Sequence, residues 1–395
     1  MKTKLGFIFG GISVEHEISV ISALQAIHAA DSDKYDIVPI YITKQGQWYS
    51  GDALLNVDNY KDINKLQKSC KKVFLSPISG DHRLYFCDPP FWKEKFLCTL
   101  DLIIPVLHGT LGEDGSIQGL FELNGIPYCG CNPLASANGM DKITMKMILK
   151  DSGLPVVDYT WFYFKNWFKD QGAIKKEIEK LGFPLIVKPS NLGSSVGISK
   201  ADNWDELQSA IEFAASFTSR IIVEKMVTNL KEINCAVLGE PESAIASVCE
   251  EPVKTGDFLS YQDKYMSKGS KGTKSGSGGM SNLKRIIPAN IPEELSNKIS
   301  ELALETFRVL ACSGTSRIDF MIDTKSNQVF VNEINTIPGS LSFYLWEASG
   351  VTFKELIDRL VAIALKIDRE KKSFTISYDK NIFEMGMSMP KMGKA

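Results

Sequence analysis

The chain has 395 residues, 44% of them hydrophobic and 23% charged, and its 45 basic and 47 acidic side chains give a formal net charge of −2. At about 100–200 residues per domain, this length predicts two or three domains, each large enough to bury its own core. The near-neutral charge argues against nucleic-acid and membrane-surface partners. No apolar run reaches the roughly 18 residues that a membrane span needs.

The N-terminus and the cysteines favour a cytoplasmic protein. Residues 1–17 pass from a short apolar run directly into Gly10, Gly11 and acidic residues, whereas a signal peptide needs a longer apolar core and a small-residue cleavage site. The eight cysteines are scattered, and only Cys129 and Cys131 lie close together, which is poor evidence for a zinc site. We therefore expect free thiols in a reducing compartment.

Residues 1–137 are predicted to form an α/β domain. An apolar strand at 4–11 precedes a helix, and the segments at 35–43 and 100–109 are typical of buried strands in a parallel sheet. Between those strands, residues 51–98 are predicted to be an insertion with its own hairpin. The apolar face of the helix is predicted from five residues at helical spacing, namely Val14, Ile18, Ile21, Leu24 and Ile27.

Residues 138–228 are predicted to form a smaller α+β domain. A helix beginning at 140 ends at Gly153 and is stopped by Pro155. Two strands, 183–189 and 196–201, flank a loop rich in serine and glycine. The helix at 203–217 and the strand at 220–227 complete this domain.

Residues 229–370 are predicted to form a third domain, with strands at 233–239 and 243–251 and a long helix at 292–311. Paired strands follow at 316–323 and 328–336. A glycine-, serine- and lysine-rich segment within 256–284 has the composition of a flexible linker, and its position inside this domain favours a mobile lid over a ligand. The tail at 371–395 carries no usable signal.

The paired strands of the third domain carry the most informative polar residues. Alternate residues of a strand share a face, and a hairpin that sets Asp319 opposite Glu333 also sets Arg317 opposite Asn335. Carboxylate and amide oxygens suit Mg²⁺, which also binds substrate phosphates. Because the flanking positions are almost all apolar, we favour a functional site over a solvated surface hairpin.

The loop that follows Lys188 is a candidate phosphate-binding loop of an unusual kind. A Walker A loop places its lysine after the glycines, and no G-x-G-x-x-G fingerprint is present, which disfavours a nicotinamide oxidoreductase. Backbone amides of residues 190–197 could instead surround phosphate oxygens, and Lys142 could supply a second cation. Glu224 and Lys225 on a strand edge are candidates for adenine contacts, and Glu232 for a ribose contact.

The order of these features resembles the ATP-grasp superfamily, and within it the D-alanine:D-alanine ligase family. The resemblance covers roughly residues 4–365, except the 51–98 insertion and the glycine-rich segment. It implies a three-domain ATP-grasp fold, α/β and α+β, with a Rossmann-like N-terminal domain. The matching motifs are GGISVEHEISVISA, HGTLGEDGSIQGLFELNGIPYCG, MDKITMK, KPSNLGSSVG, YQDKY and RIDFMID followed by NEINTIPG.

The resemblance also implies a reaction and its participants. The carboxylate of a first D-amino acid attacks the γ-phosphate of ATP, and the amine of a second amino acid displaces phosphate from the acyl phosphate, with two Mg²⁺ (or Mn²⁺) ions assisting. It implies a role in peptidoglycan precursor synthesis, with a homodimer as a possible assembly. The implied catalytic residues are Glu15, Ser194, Tyr265 and Arg317; the substrate contacts are His108, Gly339, Tyr344 and Leu345; the ATP contacts are Lys142, Lys188, Ser195, Glu224, Lys225, Glu232 and Lys264; and the metal ligands are Asp319, Glu333 and Asn335.

Two features bear on the second substrate. Tyr344 and Leu345 stand where typical members carry a serine followed by a leucine that receive the second substrate's carboxylate; the phenol can donate a hydrogen bond, but its bulk would reshape the pocket. In the family, a tyrosine at the position of Tyr265 goes with an amine acceptor, which predicts amide and not ester formation.

Three functions stay open at this point. The first is a ligase that makes D-alanyl-D-alanine. The second is a related ligase that uses another acceptor, such as D-serine, or that makes a specialised dipeptide. The third is an ATP-binding regulator without catalysis, which is disfavoured because neither Arg317 nor a metal ligand is missing.

Overall fold

The computed structural model describes residues 2–89, 92, 95–193, 196–253 and 285–375. Ser194, Ser195, the predicted lid with Lys264 and Tyr265, and the tail from residue 376 lie outside the described residues. All eight cysteines are free thiols, as predicted. Within the described part of the chain, no helix combines the length and the apolar character that crossing a membrane requires.

The N-terminal unit is built on a sheet whose central strands are parallel, as predicted. Strand β1 (Thr3–Gly10) lies between β2 (Tyr35–Ile42) and β7 (Leu102–Leu107). Helix α1 (His16–Ala29) packs on this sheet. Val14, which we assigned to the apolar face of the helix, precedes its first turn and is exposed.

The predicted insertion at 51–98 does contain hairpins, but they extend the same sheet, whose strand order is β6-β5-β4-β3-β2-β1-β7. Successive side chains of a strand point to opposite faces. In β4, Val73 and Leu75 are accordingly buried on one face of the sheet, and Phe74 between them is exposed on the other. The buried side chains join a core that includes Phe121. The further elements of this unit are β3 (Trp48–Ser50), 3₁₀ turns at Asp52–Leu55 and Val57–Lys61, α2 (Ile63–Ser69), β4 (Lys71–Leu75), β5 (Arg83–Phe86), β6 (Phe96–Thr99), α3 (Ser116–Asn124) and α4 (Pro133–Met140).

The central unit is an antiparallel sheet of order β10-β9-β11-β8. Helix α8 packs Leu207 and Ile211 against this sheet, in a core that also holds Trp167. The predicted strands on either side of the 190–198 loop pair with each other. The elements are α5 (Lys142–Asp151), β8 (Tyr159–Tyr163), α6 (Phe164–Lys169), α7 (Gln171–Glu179), β9 (Leu185–Pro189), β10 (Ser199–Ala201), α8 (Trp204–Ala215) and β11 (Arg220–Lys225).

The C-terminal unit has an antiparallel sheet of order β13-β12-β16-β17 and a short pair, β14-β15. The strand predicted at 243–251 is present only as two short pieces, and Glu250 between them bridges to Asn234. The elements are β12 (Leu230–Gly239), β13 (Ile245–Ala246), β14 (Glu251–Pro252), β15 (Arg285–Ile286), α9 (Glu293–Val309), β16 (Gly314–Asp323), β17 (Gln328–Asn335), a 3₁₀ turn at Gly339–Ser342, α10 (Phe343–Ala348) and α11 (Phe353–Ser373).

The units share their cores. Phe7 and Phe9 of β1 belong to one apolar cluster with Leu356 and Leu360 of α11. Helix α5, predicted to open the central domain, contributes Met145 to the core beneath the C-terminal sheet. Apolar burial therefore holds the walls of the site together across unit boundaries.

A β-bulge sets the register of the β16–β17 hairpin. Counting regular pairs from the turn would set Asp319 opposite Asn332. An irregularity after Asp319 leaves Asn332 as the extra residue, so that Asp319 lies opposite Glu333 and Arg317 lies opposite Asn335. The predicted pairing of these four polar residues is confirmed.

Candidate active site

A cavity of about 320 Å³ lies between the central and C-terminal sheets and is closed at one end by the N-terminal unit. Of the predicted site residues that the structure describes, Leu345 and Lys142 are not among those that line it, although Lys142 lies 3.2 Å from Glu333, which does. Those that line it are Glu15, His108, Lys188, Glu224, Lys225, Glu232, Arg317, Asp319, Glu333, Asn335, Gly339 and Tyr344.

Arg317 and Asp319 form a bidentate ion pair at the centre of the cavity. The Arg317 Nε lies 2.7 Å from one Asp319 carboxylate oxygen, and its Nη2 lies 2.8 Å from the other. Burial would lower the pKa of Arg317, but the charge of Asp319 and its hydrogen bonds outweigh burial and raise that pKa well above its ordinary value. The guanidinium is thus a permanent positive charge held in a fixed orientation.

The residues predicted to bind metal fit a hard divalent cation. Asp319 and Glu333 are cross-strand partners, and the Asn335 amide nitrogen donates a hydrogen bond to Asp319 at 3.2 Å. Two carboxylates and one amide oxygen on the same face form the donor set that Mg²⁺ takes in sites that also bind phosphates. Hard oxygen donors without thiolate or imidazole favour Mg²⁺ or Mn²⁺ over softer metals.

Two lysines reach the same face from the central unit. Lys142, at the start of α5, lies 3.2 Å from Glu333 and donates to the Leu192 carbonyl at 2.7 Å. Lys188, on β9, donates to Asn332, the bulged residue of the hairpin, at 3.2 Å. We call Lys142, Lys188, Asp319, Glu333 and Asn335 the phosphate side of the cavity, after the role that the sequence predicts for them.

Glu224 proves to be the counter-ion of two lysines. Its carboxylate lies 2.7 Å from the Lys188 ammonium and 3.2 Å from that of Lys146, and all three groups are buried. Burial alone would raise the pKa of Glu224, but the two ammonium charges lower it to about 2. Glu224 also lines the cavity, and its predicted contact with the amino group of adenine stays a prediction.

Lys146 was missed at the sequence level. Burial lowers the pKa of Lys146, although the charge of Glu224 acts in the opposite direction. The available signal was its spacing: Lys146 follows Lys142 by one helical turn in MDKITMK, so both side chains leave the same face of α5.

The apolar end of the cavity suits a planar base. Met226, Val227 and Leu230 line it beside the β11–β12 connection, and Lys225 and Glu232 lie at its polar edges. Lys225 and Glu232, which we predicted to contact the base and the ribose, thus line the same cavity as Glu224.

The N-terminal unit closes the opposite end of the cavity. Glu15 is buried and is the N-cap residue of α1. Both ring nitrogens of His108 have partners, the Ile337 carbonyl at 2.9 Å and the Ser22 hydroxyl at 3.1 Å, and burial lowers the pKa of His108.

Glu113 was not predicted, although it lies within a quoted motif. It accepts hydrogen bonds from the backbone amides of Gly109 and Ile337 at 2.8 and 3.2 Å. Burial and the charge of Glu15 raise the pKa of Glu113 to about 8. Its carboxyl is therefore largely protonated at neutral pH.

The remaining wall contains Tyr344, which donates a hydrogen bond to Glu250 at 3.1 Å. The guanidinium carbon of Arg285 lies 3.8 Å from the centre of the Tyr344 ring. Glu250 and Arg285 were missed at the sequence level. We call Glu250, Arg285 and Tyr344 the acceptor side of the cavity, after the role that the sequence predicts for Tyr344.

Leu345 requires a correction. Its side chain is fully buried in the core shared by the N- and C-terminal units and does not face the cavity. Helix α10 turns Tyr344 towards the cavity and the next residue away from it, because successive side chains of a helix point about 100° apart.

Comparison with known proteins agrees with this geometry. One family model, described as the D-ala D-ala ligase N-terminus, matches residues 4–131, and a second, the D-ala D-ala ligase C-terminus, matches residues 148–362. The chain belongs to the D-ala D-ala ligase family.

Relatives in this family match nearly the whole chain. A D-alanine--D-alanine ligase of Thermosipho melanesiensis is 41% identical, with 96% of this chain and 98% of the relative covered. A D-alanine--D-alanine ligase of Thermoanaerobacter sp. is 40% identical over 94% of this chain and 98% of the relative.

Solved structures of the D-ala D-ala ligase family have the same fold. The VanG D-Ala:D-Ser ligase of Enterococcus faecalis is 33% identical, with a TM-score of 0.77 over 92% of this chain and all of that one. The D-alanine-D-alanine ligase of Coxiella burnetii is 28% identical, with a TM-score of 0.75 over 94% and 96% of the two chains. The predicted ATP-grasp fold class is confirmed.

Proposed function

We propose that this protein is an ATP-dependent ligase that joins two molecules of D-alanine into D-alanyl-D-alanine for peptidoglycan precursor synthesis. The observation that carries the proposal is the β16–β17 hairpin. It presents Arg317, Asp319, Glu333 and Asn335 on one face, opposite the two lysines of the phosphate side.

In the first step, a carboxylate oxygen of the first D-alanine attacks the γ-phosphorus of ATP and the bond to ADP breaks. Lys142 and Lys188 neutralise charge on the phosphates, and Arg317 stabilises the transferring phosphoryl group. Glu15, at the N-terminal end of the cavity, binds the ammonium of the first D-alanine.

In the second step, the amine of the second D-alanine attacks the acyl carbon. The carbon–oxygen bond to the phosphoryl group breaks, phosphate leaves, and the attacking nitrogen loses a proton. Arg317 stabilises the oxyanion of the tetrahedral intermediate. Gly339, at the cavity wall, lies beside this reacting centre.

Two Mg²⁺ or Mn²⁺ ions would be held by Asp319, Glu333 and Asn335. When bound, they supply charge neutralisation for the β- and γ-phosphates. Asp319 also holds Arg317 through the bidentate ion pair. The same carboxylate would therefore orient both a metal ion and the guanidinium that stabilises the transferring phosphoryl group.

A second candidate acceptor is D-serine. One solved relative is described as a D-Ala:D-Ser ligase, and the acceptor side of this chain carries Tyr344 at an unusual position. The presence of Tyr265 in the predicted lid favours an amine acceptor over D-lactate.

An acceptor panel tests the proposal. The purified protein is incubated with ATP, MgCl₂ and D-alanine, alone or with D-serine, D-lactate or L-alanine, while ADP is measured enzymatically and products by mass spectrometry. We expect D-alanyl-D-alanine as the main product with D-alanine alone. Faster turnover with D-serine would show that D-serine, the second candidate, is the preferred acceptor. Faster turnover with D-lactate would contradict amide formation.

We further propose that the protein acts in the cytoplasm, where ATP is available, and that it forms a homodimer. Light scattering after size-exclusion chromatography tests the assembly. A mass near the 43.8 kDa of one chain would contradict the dimer.

A further inference from the structure

The connection between β17 and α10 has an unusual backbone conformation. Ser340, Leu341 and Ser342 all have positive φ, at 50°, 54° and 53°. Residues other than glycine rarely adopt this left-handed conformation, because the Cβ atom crowds the following carbonyl oxygen. Three such residues in succession persist only where the surrounding structure holds them, and strain of this kind concentrates at functional sites. We call residues 340–342 the left-handed turn.

The left-handed turn joins two parts of the cavity wall. Gly339, immediately before it, and Tyr344, in the first turn of α10, both line the cavity. All three residues of the turn are buried, and Leu341 lies in the core shared by the N- and C-terminal units. A change in the conformation of the turn would therefore move the wall on both sides of it.

Two side chains of α1 bind the first residue of the turn. The Ser22 hydroxyl oxygen accepts a hydrogen bond from the Ser340 backbone N–H at 3.0 Å. The Gln25 side-chain oxygen accepts one from the Ser340 hydroxyl at 2.6 Å. Ser22 and Gln25 are three residues apart on the helix, so they leave its same face. The N-terminal unit thus holds a turn that belongs to the C-terminal unit.

His108 extends this contact to the backbone that precedes the turn. Its Nδ1 lies 2.9 Å from the Ile337 carbonyl oxygen, and its Nε2 lies 3.1 Å from the Ser22 hydroxyl. Because a carbonyl oxygen only accepts hydrogen bonds, Nδ1 carries a proton and donates it. Burial lowers the pKa of His108 and so favours the neutral ring, in which Nε2 accepts a hydrogen bond from Ser22.

The hydrogen bonds therefore run in one direction through the site. The Ser340 N–H donates to Ser22, the Ser22 hydroxyl donates to His108, and His108 donates to the Ile337 carbonyl. Both ring nitrogens of His108 are used within the protein in this arrangement. The implied contact of His108 with a substrate stays a prediction, and the experiment below distinguishes it from a role in holding the turn.

We propose that Ser22 and His108 are positioning residues for the ligation: they hold the left-handed turn and, through it, the part of the cavity wall that Gly339 and Tyr344 form. The assignment rests on the proposed function, because its effect is expected at the acceptor side of that ligase site. It gives His108 a role that requires no contact with a substrate, and it makes the acceptor wall depend on the N-terminal unit.

The test separates the two D-alanine sites kinetically. Rates measured over a wide range of D-alanine concentrations, at saturating ATP and MgCl₂, give one KM for the first D-alanine and another for the second. Ser22→Ala leaves the buried Ser340 N–H without its acceptor, so we expect the second KM to rise about 10-fold, within the range for a buried group left unpaired. The first KM and the KM for ATP should change less than about 2-fold, the usual effect of a remote substitution.

Two variants of His108 separate positioning from substrate contact. The amide nitrogen of His108→Asn can take the place of Nδ1 and donate to Ile337, but the side chain is too short to reach Ser22. The longer amide of His108→Gln reaches Ser22 but no longer donates to Ile337. A positioning role predicts that each variant keeps part of the parent activity and raises mainly the second KM. Contact with the first substrate predicts instead that both variants raise mainly the first KM.

A double variant tests whether Ser22 and His108 act through one chain of hydrogen bonds. In His108→Asn the bond to Ser22 is already lost, so adding Ser22→Ala should raise the second KM by a smaller factor than it does in the parent protein. Gln25→Ala removes the other contact of α1 with Ser340 and should raise the same KM. Since Gln25 is only half-buried, this variant also carries the test if Ser22→Ala does not fold.

Matched controls and thermal melting accompany the kinetics. Ser209→Ala replaces an exposed serine of α8, and His28→Gln replaces an exposed histidine of α1. Both controls should match the parent protein in all three KM values. The melting temperature of every variant is compared with that of the parent, because a general loss of structure would raise the KM for ATP together with the second KM.

Three outcomes would overturn the assignment: an unchanged second KM in every folded variant of Ser22 and Gln25, a rise of mainly the first KM in both His108 variants, or equal rises of all three KM values. A parent protein that forms no dipeptide would instead contradict the proposed function. The failure of the assignment and the failure of the proposed function are therefore distinguishable.

Discussion

The phosphate side and the acceptor side of the cavity are both lined by buried charges, but they are assembled in different ways. On the phosphate side, three of the five residues come from one hairpin and lie on one face of paired strands. On the acceptor side, Glu250, Arg285 and Tyr344 come from three separate segments and meet only in the folded protein. The phosphate side is thus encoded by local strand pairing, and the acceptor side by tertiary packing.

The difference predicts where the chain can vary without losing the ATP chemistry. A hairpin face depends on strand register, so its residues must stay at their relative positions. A wall contributed by separate segments can change one residue at a time, because none of its members sets the register of the others. The variants below test this division, from the largest expected effect to the smallest.

Arg317 lies between the two sides, and its replacement should have the largest effect. We expect Arg317→Met to lower kcat by about 10³-fold, the low end of the range for an arginine that stabilises a transferring phosphoryl group. ADP release at saturating substrates measures this, with Arg308→Met, on the exposed face of α9, as the control. A loss of less than 10-fold would show that Arg317 serves the fold and not the chemistry.

Replacing Lys146 tests whether the phosphate side depends on the buried ion pairs that Glu224 makes with Lys146 and Lys188. Lys146→Met leaves Glu224 with Lys188 alone, and removing one member of a buried ion pair costs about 3 kcal/mol of unfolding free energy. We expect a lower urea midpoint and a higher KM for ATP, because Lys188 loses its fixed counter-ion position.

Lys150→Met, on the exposed side of the same helix, is the matched control for that experiment. Adding Glu224→Gln to Lys146→Met should lower the midpoint further, since the buried Lys188 ammonium then loses its counter-ion. Equal midpoints in Lys146→Met and Lys150→Met would contradict the role of the buried pair.

The raised pKa of Glu113, at the N-terminal end of the cavity, predicts that the free energy of unfolding depends on pH. Its folded pKa of about 8 lies above the ordinary value of 4.5, so between these values the folded protein holds a proton that the unfolded chain has released. The free energy of unfolding should therefore fall as pH rises from about 5 to about 8, and this contribution should level off above that.

Glu113→Gln should flatten that part of the profile, because an amide has no proton to lose. Urea denaturation at a series of pH values, without nucleotide or magnesium, measures it, and Glu242→Gln on the exposed surface serves as the control. Parallel profiles for Glu113→Gln and the parent protein would count against the raised pKa.

Asn332 tests the contact between the bulge and Lys188, where the smallest effect is expected. Asn332→Ala removes one hydrogen bond, worth about 1 kcal/mol, and should raise the KM for ATP about 5-fold with little change in kcat. Asn297→Ala, on the exposed face of α9, should leave both constants unchanged. A large fall in kcat would instead indicate that the bulge itself positions Asp319 and Glu333.

Much of the fold followed from patterns in the sequence. Continuous apolar runs predicted the parallel strands β1, β2 and β7, and alternation along β16 and β17 predicted which polar residues share a face. The prediction of one strand at 243–251 was wrong. Glu250 forms an isolated bridge to Asn234, and only the two-residue strands β13 and β14 form on either side of it. The domain boundaries stay predictions, since α5 and α11 pack into cores that cross them.

The sequence by itself determined the family, the hairpin that carries Arg317 and Asp319, and the two lysines opposite it, because these depend on short-range periodicity and long motifs. Only the tertiary structure decided that Glu224 pairs with Lys146 and Lys188, that Leu345 lies in the core, and that Arg285 covers Tyr344. The physical reason is that a buried charge takes its partner from whatever the packed chain brings within a few ångströms. The distance between two such groups in the folded protein cannot be inferred from their separation along the sequence.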